Sequence, residues 1–196
     1  MTKHIEQRQT EKRKAQLIER LRSSDHQTAM RALWDIRAYG WLWDGLLVRA
    51  DLSGANLAGA DLSGGDLRKV WLIGARLAGA DISGANLEGA DLSSANLSGA
   101  RLRDANLRRA NLGGANLTGL DVDEATLCRC GGLVGATMPD GSRYDGRYRL
   151  PGDLDPLRLV GGLGDDEALA EWYGIPWLAY RSGQRWADEH LPAMQG

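Results

Sequence analysis

The chain contains no phenylalanine, only 5 prolines and 2 cysteines among its 196 residues, and very little net charge of either sign. No apolar run approaches the ~20 residues a bilayer requires, so a membrane-spanning segment is excluded. The amino-terminal stretch MTKHIEQRQTEKRKAQLIERL is charged throughout and lacks the apolar h-region of a secretory signal. A formal net charge of −2, from 24 Lys and Arg against 26 Asp and Glu, argues against a strongly basic nucleic-acid binder and against a wholly acidic nucleic-acid mimic. The two cysteines, Cys128 and Cys130, stand one residue apart with no histidine nearby, too few ligands for zinc. They are expected to be reduced structural thiols. All three histidines, His4, His26 and His190, lie near the termini, and none has carboxylates or thiols at ligand spacing.

What the sequence has in excess is glycine, 26 residues, and a period of five. From Ala50 to Arg129 it reads ADLSG ANLAG ADLSG GDLRK VWLIG ARLAG ADISG ANLEG ADLSS ANLSG ARLRD ANLRR ANLGG ANLTG LDVDE ATLCR, sixteen consecutive units. The first place is Ala in thirteen, the second Asp or Asn in twelve, the third Leu in fourteen and the fifth Gly in ten. Five suits neither regular element. On an α-helix successive leucines would drift by about 140°, since five steps of ~100° overshoot one full turn. On a continuous strand an odd period would alternate their faces. Within one unit, however, the first and third residues share parity and can both point inward while the second and fourth point out. A corner at the fifth residue resets the parity, and the chain winds into a stacked coil. Leucine then fills the axis, alanine fits the tight bend, glycine accepts the corner dihedrals, and Asp or Asn bonds nearby backbone. The structural core expected on this reading is Leu52, Leu57, Leu62, Leu67, Leu72, Leu77, Ile82, Leu87, Leu92, Leu97, Leu102, Leu107, Leu112, Leu117, Val122 and Leu127.

Tandem A(D/N)LxG resembles the pentapeptide-repeat family. The resemblance implies a mainly β fold, a right-handed quadrilateral β-helix with four units or twenty residues per coil. Looser units in the same register precede the array at Gly40 to Arg49. A one-residue break at Cys130, read as a corner bulge, is followed by GGLVG and ATMPD, with Leu133 and Met138 in the central places. The solenoid is thus expected over residues 40–140, about five coils and roughly 25 Å long at ~4.8 Å per coil. Pro139-Asp140-Gly141 signals its end.

Both open ends of such a rod need covers. Residues 1–39 read as an N-terminal helical cap of two helices, with a break at Ser23 to Asp25. The second helix places Met30, Leu33, Trp34 and Tyr39 near helical spacing and stops at Gly40. Residues 141–196 read as an irregular loop followed by C-terminal helices, one stopped by Gly174 and one opened by Pro176 with a bend at Gly183. Six of the seven tryptophans fall in or beside these flanks and are expected to mark the covers. The run YGIPWLAYRSGQRWA resembles segments that follow pentapeptide arrays in some bacterial proteins, and a bacterial, cytoplasmic protein is expected. Residues 1–49 carry +10 and −6, and residues 130–196 carry +6 and −10.

No catalytic constellation, cofactor site or metal site is legible. The recurring Asp51, Asp61, Asp66, Asp81, Asp91 and Asp121 sit at the place that builds the coil. The glycine-rich GGLGDD at 161–166 lacks the lysine of a phosphate loop, and the Asp140 to Gly146 stretch lacks EF-hand spacing. With residues twenty apart stacked, one side collects Arg68, Lys69, Arg108, Arg109 and Arg129, broken by Glu88, and the next side shows Trp71 and Ile73 outward. These seven form the candidate interaction surface, with cover by a flank the expectation for Trp71. The reading is a non-enzymatic binding or scaffold module for an unidentified protein partner, with nucleic acid disfavoured, and the C-terminal aromatic helices are read either as a lid on the rod or as a homodimer contact. The alternative is a DNA-mimicking inhibitor or protector of a type II topoisomerase such as gyrase, as some pentapeptide-repeat proteins act. The sequence departs from that pattern in its short, nearly balanced array, because such mimicry needs dense negative charge.

Overall fold

The computed structural model describes residues 2–150, Asp153 and residues 166–194. The glycine-rich stretch at 161–165 lies outside the described residues. Two helices open the chain, α1 (Thr2–Leu21) and α2 (His26–Ala38). One helical turn, α3 (Glu124–Leu127), interrupts the repeats, and α4 (Asp166–Tyr173) and α5 (Trp177–Met194) close the chain.

Between α2 and Arg143 the backbone forms parallel bridges of a single residue each. Asp51 pairs with Trp71, Trp71 with Asp91, Asp91 with Asn111 and Asn111 with Gly132, a column of five rungs. Three further columns start at Asn56, Asp61 and Asp66, giving four per coil of twenty residues. Among the described residues there is no extended strand, contrary to a mainly β expectation in the strict sense. The unit itself explains this. Only its second residue forms a bridge, as when Trp71 N–H donates to Ala50 O (2.9 Å) and Leu52 N–H to Trp71 O (2.7 Å). The chain then turns at once, with Ala55 N–H donating to Leu52 O at 3.1 Å. The third residue of that turn has positive φ, as a type II turn requires, for example +70° at Gly54. In four of the six units whose fifth residue is not glycine the conformation persists, at Lys69 (+57°), Ser94 (+58°), Asp104 (+60°) and Arg109 (+57°), and likewise at Arg49 (+61°) just before the array. A left-handed L-residue costs roughly 1–2 kcal/mol.

The axial leucines are buried as a continuous stack, together with the alanines at the bends. Val122 departs from the expected core, being only partly buried. It precedes Asp123, whose carboxylate accepts Thr126 N–H (2.6 Å) and caps α3, so the chain leaves the coil path here. The extra residue of the repeat is absorbed by this helical turn and not by a lone bulge at Cys130. Bridges spaced by twenty residues before the turn are spaced by twenty-one after it, at Asn111–Gly132 and Asn116–Thr137. The coil ends where Met138 N–H donates to Ser142 O (2.7 Å) and Thr137 pairs antiparallel with Arg143.

The α1–α2 hairpin covers the first coil. Asp25 caps α2 through Thr28 N–H (2.8 Å), and Ala29, Ala32, Leu33 and Ile36 join Leu42 and Leu47 in the shared core. Leu42 comes so close that a Cβ at Gly65, the one glycine at the first place among the sixteen units, would meet Leu42 Cδ1 at 3.0 Å and require that side chain to shift. Ser23 O accepts Asn56 N–H (3.0 Å) and Leu42 O accepts Asp66 N–H (3.0 Å), so the cap pairs backbone donors of the terminal coil. Arg37 fastens it, reaching both the carbonyl (2.8 Å) and the carboxylate (2.9 Å) of Asp61.

At the other end the cover is built on tyrosine. Tyr144 is fully buried, with Tyr148 and Tyr173 against its ring (5.8 and 5.7 Å between centroids) and Trp186 against Tyr148 (5.4 Å). The tryptophans of the flanks lie in or beside the caps, but most do not seal them. Trp34, Trp43, Trp71, Trp172 and Trp177 are exposed, and only Trp41 and Trp186 pack partly on the core. Nor does Gly183 bend α5, which runs through it unbroken.

Candidate functional site

The outward positions of the coil are organised by the same turns. In ten of the twelve units with Asp or Asn at the second place, the side-chain oxygen accepts the N–H two residues on, as in Asp51–Ser53 (3.0 Å) and Asn96–Ser98 (3.1 Å). These hydrogen bonds hold several carboxyls below the usual carboxylate range. Ser53 lowers Asp51, Ser63 lowers Asp61, the Arg68 guanidinium lowers Asp66, and Ser83 lowers Asp81. Five of the six recurrent aspartates are thus used by the backbone, and Asp121 faces Arg103 at 3.6 Å.

A depressed folded-state value means that the stabilisation is fully present above the carboxyl's ordinary range and is lost as pH falls through the depressed one. We therefore expect thermal stability to fall progressively below about pH 4. Replacing Asp51, Asp61 and Asp81 together by asparagine, which makes the same turn at Asn96 and Asn116, should flatten that fall. Melting curves at pH 7, 5 and 3 test this, and an unchanged acid limb would refute it.

The basic face is assembled at the fourth and fifth places of one column. Lys69 N–H donates to Glu88 O (2.9 Å), Gly89 N–H to Arg108 O (2.8 Å) and Arg109 N–H to Arg129 O (2.9 Å). Arg68, Lys69, Arg108, Arg109 and Arg129 are therefore neighbours on one side of the rod, and all are exposed. Arg68 is held by a bidentate pair with Asp66 (2.8 and 2.7 Å), and Glu88 is half-buried beneath the row. The Lys69 stem lies over Gly89, whose missing Cβ would be 3.5 Å from Lys69 Cγ.

Arg49 was not among the residues singled out from the sequence, yet it belongs to this face. It is exposed, and its N–H donates to Arg68 O (3.0 Å). Its register was the available signal, since it occupies the fifth place of its unit, twenty residues before Lys69.

The chain turns one corner at Val70 and presents Trp71 and Ile73 on the adjoining side, 54% and 42% exposed. The expected cover by a flank is absent. Trp71 stands in its column between Asp51, which pairs with Arg22 (3.2 Å), and Asp91, which accepts from Asn111 (3.2 Å). The cationic row and the apolar pair thus meet along one edge.

The buried polar groups lie elsewhere. Burial pushes the Cys128 thiol up to about 11 and that of Cys130 up to about 12, so both keep their protons at neutral pH. Asp153 is fully buried, its Oδ1 accepting Leu133 N–H (2.7 Å), and burial raises its carboxyl. Asp140 sits in a plain turn, accepting both the N–H (2.9 Å) and the hydroxyl (2.6 Å) of Ser142. Among the described residues no three His, Cys, Asp or Glu side chains converge as a metal site would need, and no helix is long and apolar enough to cross a membrane.

Comparison with known proteins follows the repeat. The family described as Pentapeptide repeats matches in eight copies, over residues 42–70, 72–109 and 95–130. No curated protein matches the chain. Among solved structures, a pentapeptide repeat protein of the Arabidopsis thaliana thylakoid lumen is 35% identical over 47% of this chain and 60% of its own, with a TM-score of 0.39. HetL, a pentapeptide repeat protein involved in heterocyst differentiation regulation in Nostoc sp. strain PCC 7120, is 42% identical over 49% of this chain and 41% of its own, with a TM-score of 0.23. A third, from Nostoc PCC 7120, is 36% identical over 47% and 74%, with a TM-score of 0.26. The chain spans three fifths or less of the length of the first two. The likeness is one of repeat sequence.

Proposed function

The chain belongs to the pentapeptide-repeat family, and we propose that this member is a non-catalytic scaffold whose basic face receives an acidic surface of a protein partner, with Trp71 and Ile73 as apolar anchors beside it. The family implies a right-handed quadrilateral β-helix, a geometry supported by four bridge columns at a twenty-residue spacing. Such a rod holds its side faces rigid, so the order in which charges leave them is a property of the fold.

One observation carries the reading. Glycine is the unstrained residue at the corners of the coil, and most corners have it. On the basic face three of the four successive corner positions, Arg49, Lys69 and Arg109, hold a cation in the left-handed region at 57–61°. Each accepts a strain of roughly 1–2 kcal/mol, and residues held against such strain cluster at functional surfaces.

The test follows from that conflict. The triple variant Arg49→Gly, Lys69→Gly, Arg109→Gly should be more stable than the parent by about 2 kcal/mol, since relief of strain outweighs the added freedom of the unfolded chain. It should also lose at least tenfold in affinity for any partner recovered from native cells. Ser94→Gly, a corner on the apolar side, should gain stability alone. Partner capture that survives the triple variant at full strength, and is insensitive to salt, would overturn the proposal.

A further inference from the structure

The basic face carries its charges in a fixed order along the rod. Its backbone ladder sets five levels, from Arg49 to Arg68 and Lys69, then Glu88, then Arg108 and Arg109, and last Arg129. Each level is one coil, ~4.8 Å from the next. The second and fourth levels each project two exposed cations, and the first and fifth one each. The middle level reverses the sign, since Glu88 stands there beside Gly89, which has no side chain. Asp66, and after it Glu88, raise the Arg68 guanidinium above its ordinary range. The face therefore presents two doubly cationic levels about 10 Å apart with a carboxylate midway between them. One corner away, Trp71 and Ile73 stand exposed beside the second level, so the two ends of the row are unlike.

We propose that this face seats an acidic α-helix of a partner protein, lying along the rod with carboxylates seven residues apart over the second and fourth levels and a lysine or arginine between them over Glu88. This rests on the reading that the basic face is the binding face, and adds what it binds. Spacing selects the occupant. Along a helix, seven residues advance about 10.5 Å and return to within about 20° of the same side, while the residue three or four on falls midway. An extended segment rises ~3.3 Å per residue and shows alternate residues to one side, at about 6.6 and about 13 Å, so its same-side carboxylates miss the fourth level. A nucleic-acid strand carries a phosphate at every nucleotide and sets that charge against Glu88. Charge complementarity follows the same order, because like charges brought together at Glu88 count against a uniformly acidic partner.

Fluorescence anisotropy with the full-length protein and labelled, alanine-based helical peptides tests the proposal. One peptide carries glutamates seven residues apart with lysine midway, a second replaces that lysine by glutamate, and a third closes the spacing to five residues. A short DNA duplex is the fourth probe. The parent should bind the first peptide at least tenfold more tightly than the third, and added salt should weaken that binding. The preference for the first peptide over the second should fall at least tenfold in Glu88→Lys, a comparison in which the net charge of the probes cancels. A cation is accommodated at that place, since Arg68 and Arg108 occupy it one coil to either side, and Glu88→Gln should give an intermediate ratio. Peptides that bind alike whatever their spacing, yet tenfold more weakly to Arg109→Gly, would overturn the helix and leave the basic face standing. No binding of any acidic peptide at low salt, or binding that Arg109→Gly does not weaken, would overturn both. A duplex that binds more tightly than every peptide would assign the face to nucleic acid and refute the proposal as well.

Discussion

Replacing Leu92 by alanine should lower the unfolding free energy by about 3 kcal/mol, while Val122→Ala, at the same place of the repeat, should cost less than about 1 kcal/mol. Leu92 is fully buried midway along the stack, with Leu72 one coil before it and Leu112 one coil after. Its own backbone is fixed to the next coil, Leu92 N–H donating to Asn111 O at 2.8 Å. The methyl groups removed would leave a void that the stacked coils cannot close, because each is tied to its neighbours at four columns. Val122 is only partly buried, at the point where the chain departs into α3, so solvent already reaches it. Denaturant titration measures both. Equal losses would mean that position in the repeat, and not burial, sets the energetics. Since a solenoid is stabilised by nearest neighbours, the Leu92 variant should also broaden the transition, as the two halves of the rod begin to melt separately.

Gly183→Ala should destabilise the C-terminal cap by about 2 kcal/mol, the reverse of the usual effect in a helix interior, where alanine is favoured by about 1 kcal/mol. A Cβ at this site would lie 2.5 Å from both Cγ and Oδ2 of Asp145. That carboxylate has nowhere to go. It is 6% exposed, both its oxygens are held by Arg147 (2.8 and 2.9 Å), and the Arg147 guanidinium lies over Trp186 at 5.7 Å. The methyl would therefore push α5 off the 145–149 loop and break the contacts of Arg149 with Gln184 (3.1 Å) and Asp188 (2.6 Å). Near-ultraviolet circular dichroism should lose the tyrosine and tryptophan signal of the cap, and limited proteolysis should cut α5, while the repeats stay folded. Ser182→Ala, one residue earlier and exposed, serves as the control and should be neutral or slightly stabilising. A stabilised Gly183→Ala protein would show that the helix does not seat on Asp145.

Much of the rod was legible because each unit is nearly self-contained. The alternation of inward and outward residues, the corner glycines and the aspartate turns are all decided within five residues. Even the basic face followed from counting in the twenties that the family resemblance implies, and Arg49 escaped only because its unit, GLLVR, looks unlike the others. The register break near Cys130 was visible, but not its form. Asp123 and Thr126, placed as an N-cap pair, carried the signal for a helical turn. The tryptophans misled for a physical reason. Large aromatic rings are commonly buried, yet here alanine, leucine and tyrosine fill the small spaces under the caps, and most of the indoles project from the outer faces.

By itself the amino-acid sequence determined the coil, its period and which side chains enter the axis, since those choices rest on parity, turn dihedrals and side-chain size within a single short unit. Only the tertiary structure decided which surfaces are left open and how the ends are sealed. Arg37 on Asp61, Leu42 against Gly65 and Asp145 against Gly183 join residues 24, 23 and 38 positions apart, contacts that no period generates. A periodic pattern propagates itself by local rules, whereas a cap is a single non-local fit whose partners are identified once the chain has folded back on them.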